Sequence, residues 1–383
     1  MPLRVGIVAG EASGDTLGAA LMEAVRERVH DAEFFGVAGP KMVAAGCAAW
    51  ASAGELAVMG IAEVITHLPR LVRLRRRLVT QLQAARPHVF IGIDAPEFNL
   101  GLARRLKRGG IPTVQYVSPQ VWAWRQGRVR SIGASCDLVL CLLPFETAFY
   151  AQHNVRAEFV GHPLADRIPL GSDRAAARRA LGIVGDSTLI ALLPGSRLGE
   201  VSRLGAHFVD AARWLAARRP DIEFIAPMAS EDVRAVFASQ IESTTAPPIR
   251  VIDGQAQVAM TAANAVLVAS GTATLEATLC ERPMVVAYRL GATTAFLLRR
   301  FGLVKVPYFS QPNLLAGRKL VPEFFQEQVT GEALGNALLG ILDDPTQAAM
   351  LSREFRIIHE QLRVGGADRA ADAILVLLGR GRV

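Results

Sequence analysis

Short, continuously apolar runs alternate with longer helical segments along most of this 383-residue chain. Examples are VFIGI at residues 89–93 and LVLCLL at residues 138–143. Runs of this kind are typical of strands covered by helices on both faces, because a strand with one face in water would alternate apolar and polar residues. The repeat of strand, helix and strand therefore predicts the α/β class with a doubly wound parallel sheet.

The alternation occurs in two rounds. The first predicts strands near residues 4–9, 33–37, 88–93, 112–117, 137–142 and 157–160, and the second near 187–193, 222–226, 249–252, 265–269 and 284–288. Helical patterns near 331–342, 346–361 and 367–379 follow. Because the chain exceeds the usual size of one core, we predict two Rossmann-like domains facing a cleft. Their predicted bounds are residues 1–165 and 166–345, with the helices of residues 346–383 packing across both.

Composition narrows the class of protein. A hydrophobic fraction of 51% excludes a disordered chain, yet no stretch approaches the roughly 18 apolar residues that span a bilayer. The chain begins in a strand without an export signal, and its four cysteines lack the spacing of a zinc site or a disulfide framework. We therefore expect a cytoplasmic protein, soluble or peripheral on a membrane.

A net charge of +7 favours an anionic partner, which could be a nucleotide, a nucleic acid or a phospholipid surface. The densest basic segment, residues 70–77, lies in a predicted helix from Leu68 to Leu82. Its predicted apolar stripe could enter an anionic membrane while the arginines contact headgroups, or could simply pack on its own domain. The predicted membrane-contacting residues are Leu68, Leu71, Val72, Arg75 and Leu78.

The first strand leads into a glycine-containing turn, GEASGD, at residues 10–15. Glycines allow close approach of a ligand, and an exposed helix N-terminus favours anions. The spacing matches neither GxGxxG nor GxxxxGK[ST], so simple dinucleotide and nucleoside triphosphate sites lose support. The alternative is plain helix capping by Ser13, with Asp15 in the first turn.

Asp94 ends the strand at residues 89–93 and precedes a predicted helix that has Pro96 near its start. A carboxylate at the carboxyl end of a strand in a doubly wound domain lies where ligands bind, and could take a proton from an attacking hydroxyl. It could equally be an N-cap, and the two roles are compatible.

Two strand-to-helix turns in the second half suit a diphosphate. Their candidate ligands are Gly195, Ser196, Arg197 and Glu200 in the first turn, and Ser270, Gly271, Thr272, Thr274 and Glu276 in the second. Glu276 could accept both ribose hydroxyls, and the alternatives are a surface pair of Arg197 with Glu200 and an ordinary acidic residue in a helix. A later loop adds Asn313 and Arg318, which can donate to phosphate or sugar oxygens.

Taken in order, these motifs resemble the lipid-A-disaccharide synthase family. The resemblance covers residues 5 to about 320 and rests on GEASGD, GIDAPEFN, YVSPQVWAW, LPFE, GHP, LLPGSR, ASGTATLE and PNLLAGR. It implies a GT-B fold and an inverting hexosyltransferase of Gram-negative lipid A biosynthesis. It further implies that UDP-2,3-diacylglucosamine and 2,3-diacylglucosamine 1-phosphate (lipid X) give a lipid A disaccharide 1-phosphate and UDP.

The resemblance also implies roles for single residues. The aspartate of the family's DAP motif falls on Asp94 as the general base, and the essential glutamate of its first glycine turn falls on Glu11. Gly10, Ser13, Gly14 and Asp15 complete that turn on the acceptor side. The arginine of PGSR falls on Arg197 and the asparagine of PNLLAGR on Asn313, both near the diphosphate. The family further implies a homodimer on the cytoplasmic face of the inner membrane.

The sequence contains no convincing DxD metal motif, so we expect no cofactor and activity that survives chelation. Another UDP-N-acetylglucosamine enzyme, such as the peptidoglycan glycosyltransferase or the 2-epimerase, is the alternative, although both lack the SPxxWAW context. A nucleic-acid-binding module that uses the basic helix is disfavoured by the leucines of that helix and by the phosphate-type turns. We therefore predict no nucleic-acid partner.

Overall fold

The computed structural model describes residues 2–56, 61–124, 126–291 and 307–381. The chain forms two compact units. Unit 1 comprises Met1–Asp166 and Leu362–Val383, and unit 2 comprises Arg167–Gln361. Each contains a parallel sheet with helices on both faces, which confirms the predicted α/β class with two doubly wound domains.

The sheet of unit 1 has the order β3-β2-β1-β4-β5-β6-β7. All of its pairings are parallel. Its strands are β1 (Arg4–Ala9), β2 (Glu33–Ala38), β3 (Cys47–Ser52), β4 (Val89–Ile93), β5 (Thr113–Tyr116), β6 (Leu138–Cys141) and β7 (Ala157–Phe159). The central strands are buried on both faces, as their continuous apolar sequences predict.

Helices follow most of these strands. They are α1 (Ala12–Arg28), α2 (Pro40–Ala44), α3 (Ile61–Ala85), α4 (Pro96–Arg108), α5 (Val121–Trp124), α6 (Val129–Gly133), α7 (Pro144–Ala151) and α8 (Pro163–Arg167). One core contains α1, and the other contains α3 and α4. The helix predicted from Leu68 begins at Ile61 and contains Pro69.

The end of the chain returns to unit 1. The carboxylate of Asp166 accepts hydrogen bonds from the amides of Gly365 and Gly366, which precede and begin the last helix, α17 (Gly366–Leu377). That helix packs on α1, where Arg28 pairs with Asp368 and Asp372. The last helix is therefore part of the first folding unit.

The sheet of unit 2 has the order β10-β9-β8-β11-β12-β13 and is also parallel. Its strands are β8 (Thr188–Leu193), β9 (Ile222–Met228), β10 (Ile249–Asp253), β11 (Ala265–Ala269), β12 (Met284–Tyr288) and β13 (Glu323–Phe325). Its helices are α9 (Arg174–Ala180), α10 (Leu198–Ala216), α11 (Glu231–Glu242), α12 (Ala256–Ala262), α13 (Thr272–Leu279), α14 (Gln311–Ala316), α15 (Gly331–Asp343) and α16 (Pro345–Leu362).

Two strands, β3 and β13, were not predicted. Both are edge strands, so neither needs the continuous apolar sequence of a central strand. Alanine dominates β3, and alanine has low β-propensity, whereas β13 has only three residues and begins with Glu323. The sequence signal is weak where one side of a strand is free of neighbours.

Candidate functional site

The carboxyl ends of β1 and β4 form a switch point in unit 1. The two strands are parallel neighbours, with Ala9 opposite Ile93, and their other neighbours, β2 and β5, lie on opposite sides. Ligands of doubly wound sheets bind outside the carboxyl ends at such a point. Gly10 and Asp94 are the first residues beyond these two ends, so the structure brings these two predicted site residues together.

Gly10 allows the two strand-end turns to touch. A Cβ atom at this position would lie 2.4 Å from the Cβ atom of Ala95, which is closer than van der Waals contact permits. Gly14 is buried in the first turn of α1, where a Cβ atom would lie 3.5 Å from the side chains of Ala9 and Ile93. The glycines of the first turn therefore pack α1 and its entry loop against the Asp94 turn.

Asp94 and Ala95 both have left-handed backbones, with φ of +51° and +39°. Two amide side chains stabilise this conformation. The Asn99 Nδ2 atom donates to the carbonyl oxygens of Asp94 at 2.9 Å and Ile93 at 3.2 Å, and Gln115 Nε2 donates to the Asp94 carbonyl at 3.1 Å. Because non-glycine residues in this region cost roughly 1–3 kcal/mol each, the surrounding contacts must offset that cost.

The Asp94 carboxylate is not the cap of α4. The N-cap residue is Ala95, and no side chain forms a cap hydrogen bond there. Burial raises the pKa of the Asp94 carboxyl above its usual value, while a backbone hydrogen bond from Ala95 lowers it by less. A carboxylate whose pKa is raised is a stronger base than an exposed aspartate, and is therefore suited to proton abstraction.

The polar residues of the first glycine turn have different environments. Glu11 and Ser13 are exposed. Glu11, rather than Ser13, is the N-cap residue of α1, and no side chain forms a cap hydrogen bond. Asp15 is buried, and its carboxylate accepts hydrogen bonds at 2.9–3.0 Å from the amides of Gly39, Lys41 and Met42. The prediction that Asp15 serves the acceptor is therefore corrected, because its oxygens hold the start of α2.

Unit 2 has the same kind of switch point between β8 and β11. In the turn after β8, Glu200 Oε2 accepts hydrogen bonds from the amides of Ser196 at 3.0 Å and Arg197 at 3.4 Å. Gly195 has φ of +139°, and a Cβ atom there would lie 2.4 Å from the Cβ atom of Glu200. Glu200 therefore shapes the turn through these backbone contacts, and its contact with a diphosphate stays a prediction.

Arg197 is the exposed cation of this turn. Its side chain is 83% exposed and lies 3.5 Å from Glu200, a distance that makes this surface pair weak. The guanidinium can therefore turn towards an anion at little cost, and a phosphate would offer it two oxygens in a matching geometry.

In the turn after β11 the backbone is exposed, whereas the hydroxyls of Ser270 and Thr274 form hydrogen bonds within the protein. Gly271 has φ of +148°, and both Gly271 and Thr272 are exposed. Ser270 Oγ donates to the Phe309 carbonyl at 2.8 Å. The fully buried Thr274 hydroxyl donates to the Gly271 carbonyl and accepts from the Gln311 amide, so its assignment as a ligand is corrected. This leaves the exposed backbone and Thr272 as the groups able to meet a phosphate.

Glu276 lies one turn into α13 and is half-buried. Burial raises the pKa of its carboxyl, and the nearby Arg167 opposes that shift. A half-buried carboxylate on the helix that follows the phosphate-type turn can accept hydrogen bonds from two vicinal hydroxyls.

A family model described as lipid-A-disaccharide synthetase matches residues 5–374. The chain is 51% identical over 378 residues to the lipid-A-disaccharide synthase of Pseudomonas aeruginosa, covering 99% of each chain. It is 52% identical over 381 residues to that of Sodalis glossinidius, again covering 99% of each. The chain belongs to the lipid-A-disaccharide synthase family. It is a glycosyltransferase of lipid A biosynthesis, which confirms the predicted reaction class and disfavours the alternative enzymes.

Solved structures support the fold of this synthase family member. A UDP-GlcNAc 2-epimerase from Neisseria meningitidis bound to UDP-GlcNAc has a TM-score of 0.60 at 12% identity, covering 99% of this chain and 100% of that one. The glycotransferase of kitacinnamycin has a TM-score of 0.60 at 17% identity, covering 97% and 98%. At these identities the likeness is one of fold, and it confirms the GT-B prediction.

The synthase motif PNLLAGR has a role other than the predicted one. Asn313 is fully buried: its Nδ2 donates to the Val321 carbonyl and to Glu323, and its Oδ1 accepts from the amides of Leu320 and Val321. The prediction that Asn313 contacts the diphosphate is therefore corrected, since its amide holds the loop. Arg318 forms an exposed ion pair with Glu354 at 2.8 Å.

Glu323, which has no role predicted from the sequence, holds the same loop through hydrogen bonds. Its carboxylate accepts hydrogen bonds from the backbone amides of Phe309 and Ser310, the Ser310 hydroxyl and Asn313 Nδ2. No local sequence pattern indicates this role, because Glu323 lies in a short edge strand that is itself not predicted from the sequence.

The basic helix requires a further correction. Leu78 is fully buried in a core of unit 1, together with Leu74 and Leu82, so it cannot contact a lipid. Leu71 and Val72 are half-buried, and the side chain of Leu68 lies outside the described residues. Arg75 is half-buried beside Gly101 on α4, and its pKa is lowered by burial and by Arg105 and Arg76. In the described ranges, no helix is long and apolar enough to cross a membrane.

Two titratable residues of the GHP and LPFE motifs were not assigned roles from sequence. Burial lowers the pKa of His162 to about 4, and its Nδ1 accepts a hydrogen bond from the Leu164 amide. The imidazole is therefore neutral near pH 7 and carries its proton on Nε2. Glu146 is buried, and burial raises its pKa to about 7, an effect that four hydrogen bonds oppose only in part.

The raised pKa of Glu146 predicts a pH-dependent stability. Below the ordinary glutamate pKa of 4.5 its carboxyl is protonated in both states, and as the pH rises through about 7 the folded protein must bury a charge. The unfolding free energy of the wild type minus that of Glu146→Gln should therefore fall between pH 5 and pH 8, by roughly 3 kcal/mol at most. Urea denaturation of both proteins measures this difference, and a constant value would contradict the assignment.

Proposed function

We propose that the chain condenses UDP-2,3-diacylglucosamine with 2,3-diacylglucosamine 1-phosphate, giving lipid A disaccharide 1-phosphate and UDP. The observation that carries this proposal beyond the family's reaction class is the presence of two differently equipped switch points. That of unit 1 holds a half-buried carboxylate with a raised pKa, Asp94. That of unit 2 offers an exposed arginine, Arg197, and an exposed glycine turn.

The reaction is a single in-line displacement. Asp94 takes the proton of the acceptor 6-hydroxyl while that oxygen bonds to the anomeric carbon of the donor, and the bond from this carbon to UDP breaks. One displacement inverts the configuration and gives a β-linked product. Glu11 is exposed at the neighbouring strand end, where its carboxylate can position the acceptor through hydrogen bonds to sugar hydroxyls.

The donor binds at unit 2. The guanidinium of Arg197 and the backbone at Gly271 and Thr272 stabilise the charge that grows on UDP as it leaves. Glu276 accepts hydrogen bonds from the ribose hydroxyls, and Arg318 is a further cation able to reach phosphate if its pair with Glu354 opens. The UDP-GlcNAc bound to the Neisseria epimerase of similar fold supports a UDP-sugar as the donor.

The substitution Asp94→Asn tests the assignment of Asp94 as the general base. Asp94→Asn keeps the size of the side chain and removes its basicity, so kcat should fall by about 10²- to 10⁴-fold in an assay with purified lipid substrates. Asp15→Asn is the matched control, because that carboxylate binds backbone amides within the fold; it should act through stability. Near-normal turnover by a folded Asp94→Asn protein would remove the base assignment.

We further propose that unit 1 attaches to the anionic cytoplasmic face of the inner membrane through α3, where Arg73 and Arg76 are exposed and Leu71 and Val72 are half-buried. Arginines near an anionic surface each contribute about 1 kcal/mol of attraction, and the exposed part of a half-buried apolar side chain can enter the acyl boundary. The family resemblance also supports a homodimer.

Charge and apolar substitutions on α3 separate the two contributions. Arg73→Gln with Arg76→Gln should weaken binding to phosphatidylglycerol vesicles and reduce its dependence on salt, whereas Leu71→Ser with Val72→Ser should weaken binding at all salt concentrations. Arg179→Gln with Arg353→Gln, at exposed positions of α9 and α16, is the control for net charge because it also removes two positive charges. Vesicle sedimentation measures all three, and unchanged binding by both α3 variants would contradict attachment through this helix.

A further inference from the structure

The mechanism does not use Glu146, although its carboxyl is buried. We propose that Glu146 is a positioning residue for the acceptor sugar, which it orients by fixing the segment that follows β5 beside Asp94. We call residues 117–122 the tryptophan segment. The inference rests on the proposed reaction, in which the acceptor sugar binds beside Asp94.

The tryptophan segment begins next to Asp94, the proposed general base. The Asp94 amide donates to the Tyr116 carbonyl at 2.9 Å, and the segment starts at the next residue, Val117. Gln115 Nε2 donates to the carbonyls of both Asp94 at 3.1 Å and Val117 at 3.3 Å. A displacement of the segment would therefore change the wall of the site next to the Asp94 carboxylate.

Helix α7 holds the segment at two points, one helical turn apart. Glu146 Oε1 accepts a hydrogen bond from Trp122 Nε1 at 3.0 Å, and the Tyr150 hydroxyl bonds to Ser118 Oγ at 3.0 Å. Phe145 packs against the Trp122 ring edge to face, with ring centroids 4.9 Å apart. Ser118 and Trp122 are both buried. Between these anchors Gln120 is exposed, so the polar tip of the segment is held at both ends.

The requirement for a carboxylate follows from its donors. Glu146 accepts from Trp122 on one oxygen and from the Leu143 amide at 3.1 Å on the other, and glutamine could replace only one of these acceptors. In the described ranges the groups that donate hydrogen bonds to Glu146 are uncharged, so burying its charge costs stability near neutral pH. A residue that lowers stability but fixes a loop beside Asp94 is expected where the position of that loop matters for function.

Steady-state kinetics with purified donor and acceptor test the proposal. Glu146→Gln and Trp122→Phe should each lower kcat/KM for the acceptor by roughly tenfold or more and leave the KM of the donor unchanged, because misplacing the acceptor costs rate without touching the donor site. Because Glu146 and Trp122 are the two partners of one hydrogen bond, the double variant should be little worse than either single one.

Val155→Ala is the matched control. Val155 belongs to the same core but lies just before β7, away from the carboxyl edge of the sheet, so it should lower the Tm without changing the kinetics of either substrate. If Glu146→Gln does not fold, Trp122→Phe, which keeps the ring packing, carries the test. Variants that lose Tm as Val155→Ala does and keep wild-type acceptor kinetics would overturn the proposal, as would variants whose KM for the donor rises as much as their KM for the acceptor.

Failure of the proposed function would give results different from failure of the positioning role. If the wild type formed no disaccharide phosphate from the named substrates, the substrate assignment would fail before any variant was compared. If Asp94→Asn kept its turnover while Glu146→Gln lost acceptor kcat/KM, the base assignment alone would fall and the positioning role would stand.

Discussion

The site of unit 1 depends on one backbone constraint, the left-handed conformation of Asp94 and Ala95 at the end of β4. Neither residue is glycine, so the conformation is held by the surrounding contacts. Asn99 and Gln115 supply these through hydrogen bonds to the Asp94 carbonyl. Because Ala95 takes the cap position of α4, the Asp94 carboxylate is not used as a helix cap. Asn99 and Gln115 are therefore as much part of the site as the carboxylate they position.

The two units share one architecture, but the groups at their switch points carry opposite charges. In each parallel sheet the order in which strands are added reverses between two central strands. In each unit a glycine beyond one strand end also allows a close approach, of Gly10 to Ala95 and of Gly195 to Glu200. In unit 1 the neighbouring group is a half-buried carboxylate with a raised pKa. In unit 2 it is an exposed guanidinium beside an exposed turn. A base and an anion site are what an inverting transfer from a nucleoside diphosphate sugar requires.

Much of this arrangement was predictable, because burial on both faces gives central strands a continuous apolar sequence and strand ends fix where loops meet. Roles of single side chains were less predictable. Asp15, Asn313 and Leu78 have suitable chemistry for ligands or lipid, yet each is buried against partners that a local pattern does not reveal. Asp15 binds amides at residues 39–42, and Asn313 binds an edge strand. Such partners come from tertiary packing, whereas the position of Asp94 follows from the strand end alone.

The pH dependence of kcat/KM for the acceptor, measured at saturating donor, tests the central claim most directly. If Asp94 is the base, the profile should rise with pH through an apparent pKa above that of an ordinary aspartate, because burial raises the pKa of this carboxyl. Asn99→Ala should lower the plateau, since it removes the contacts that hold the left-handed turn. An acidic limb at the same pKa in a folded Asp94→Asn protein, or a plateau unaffected by Asn99→Ala, would contradict the account.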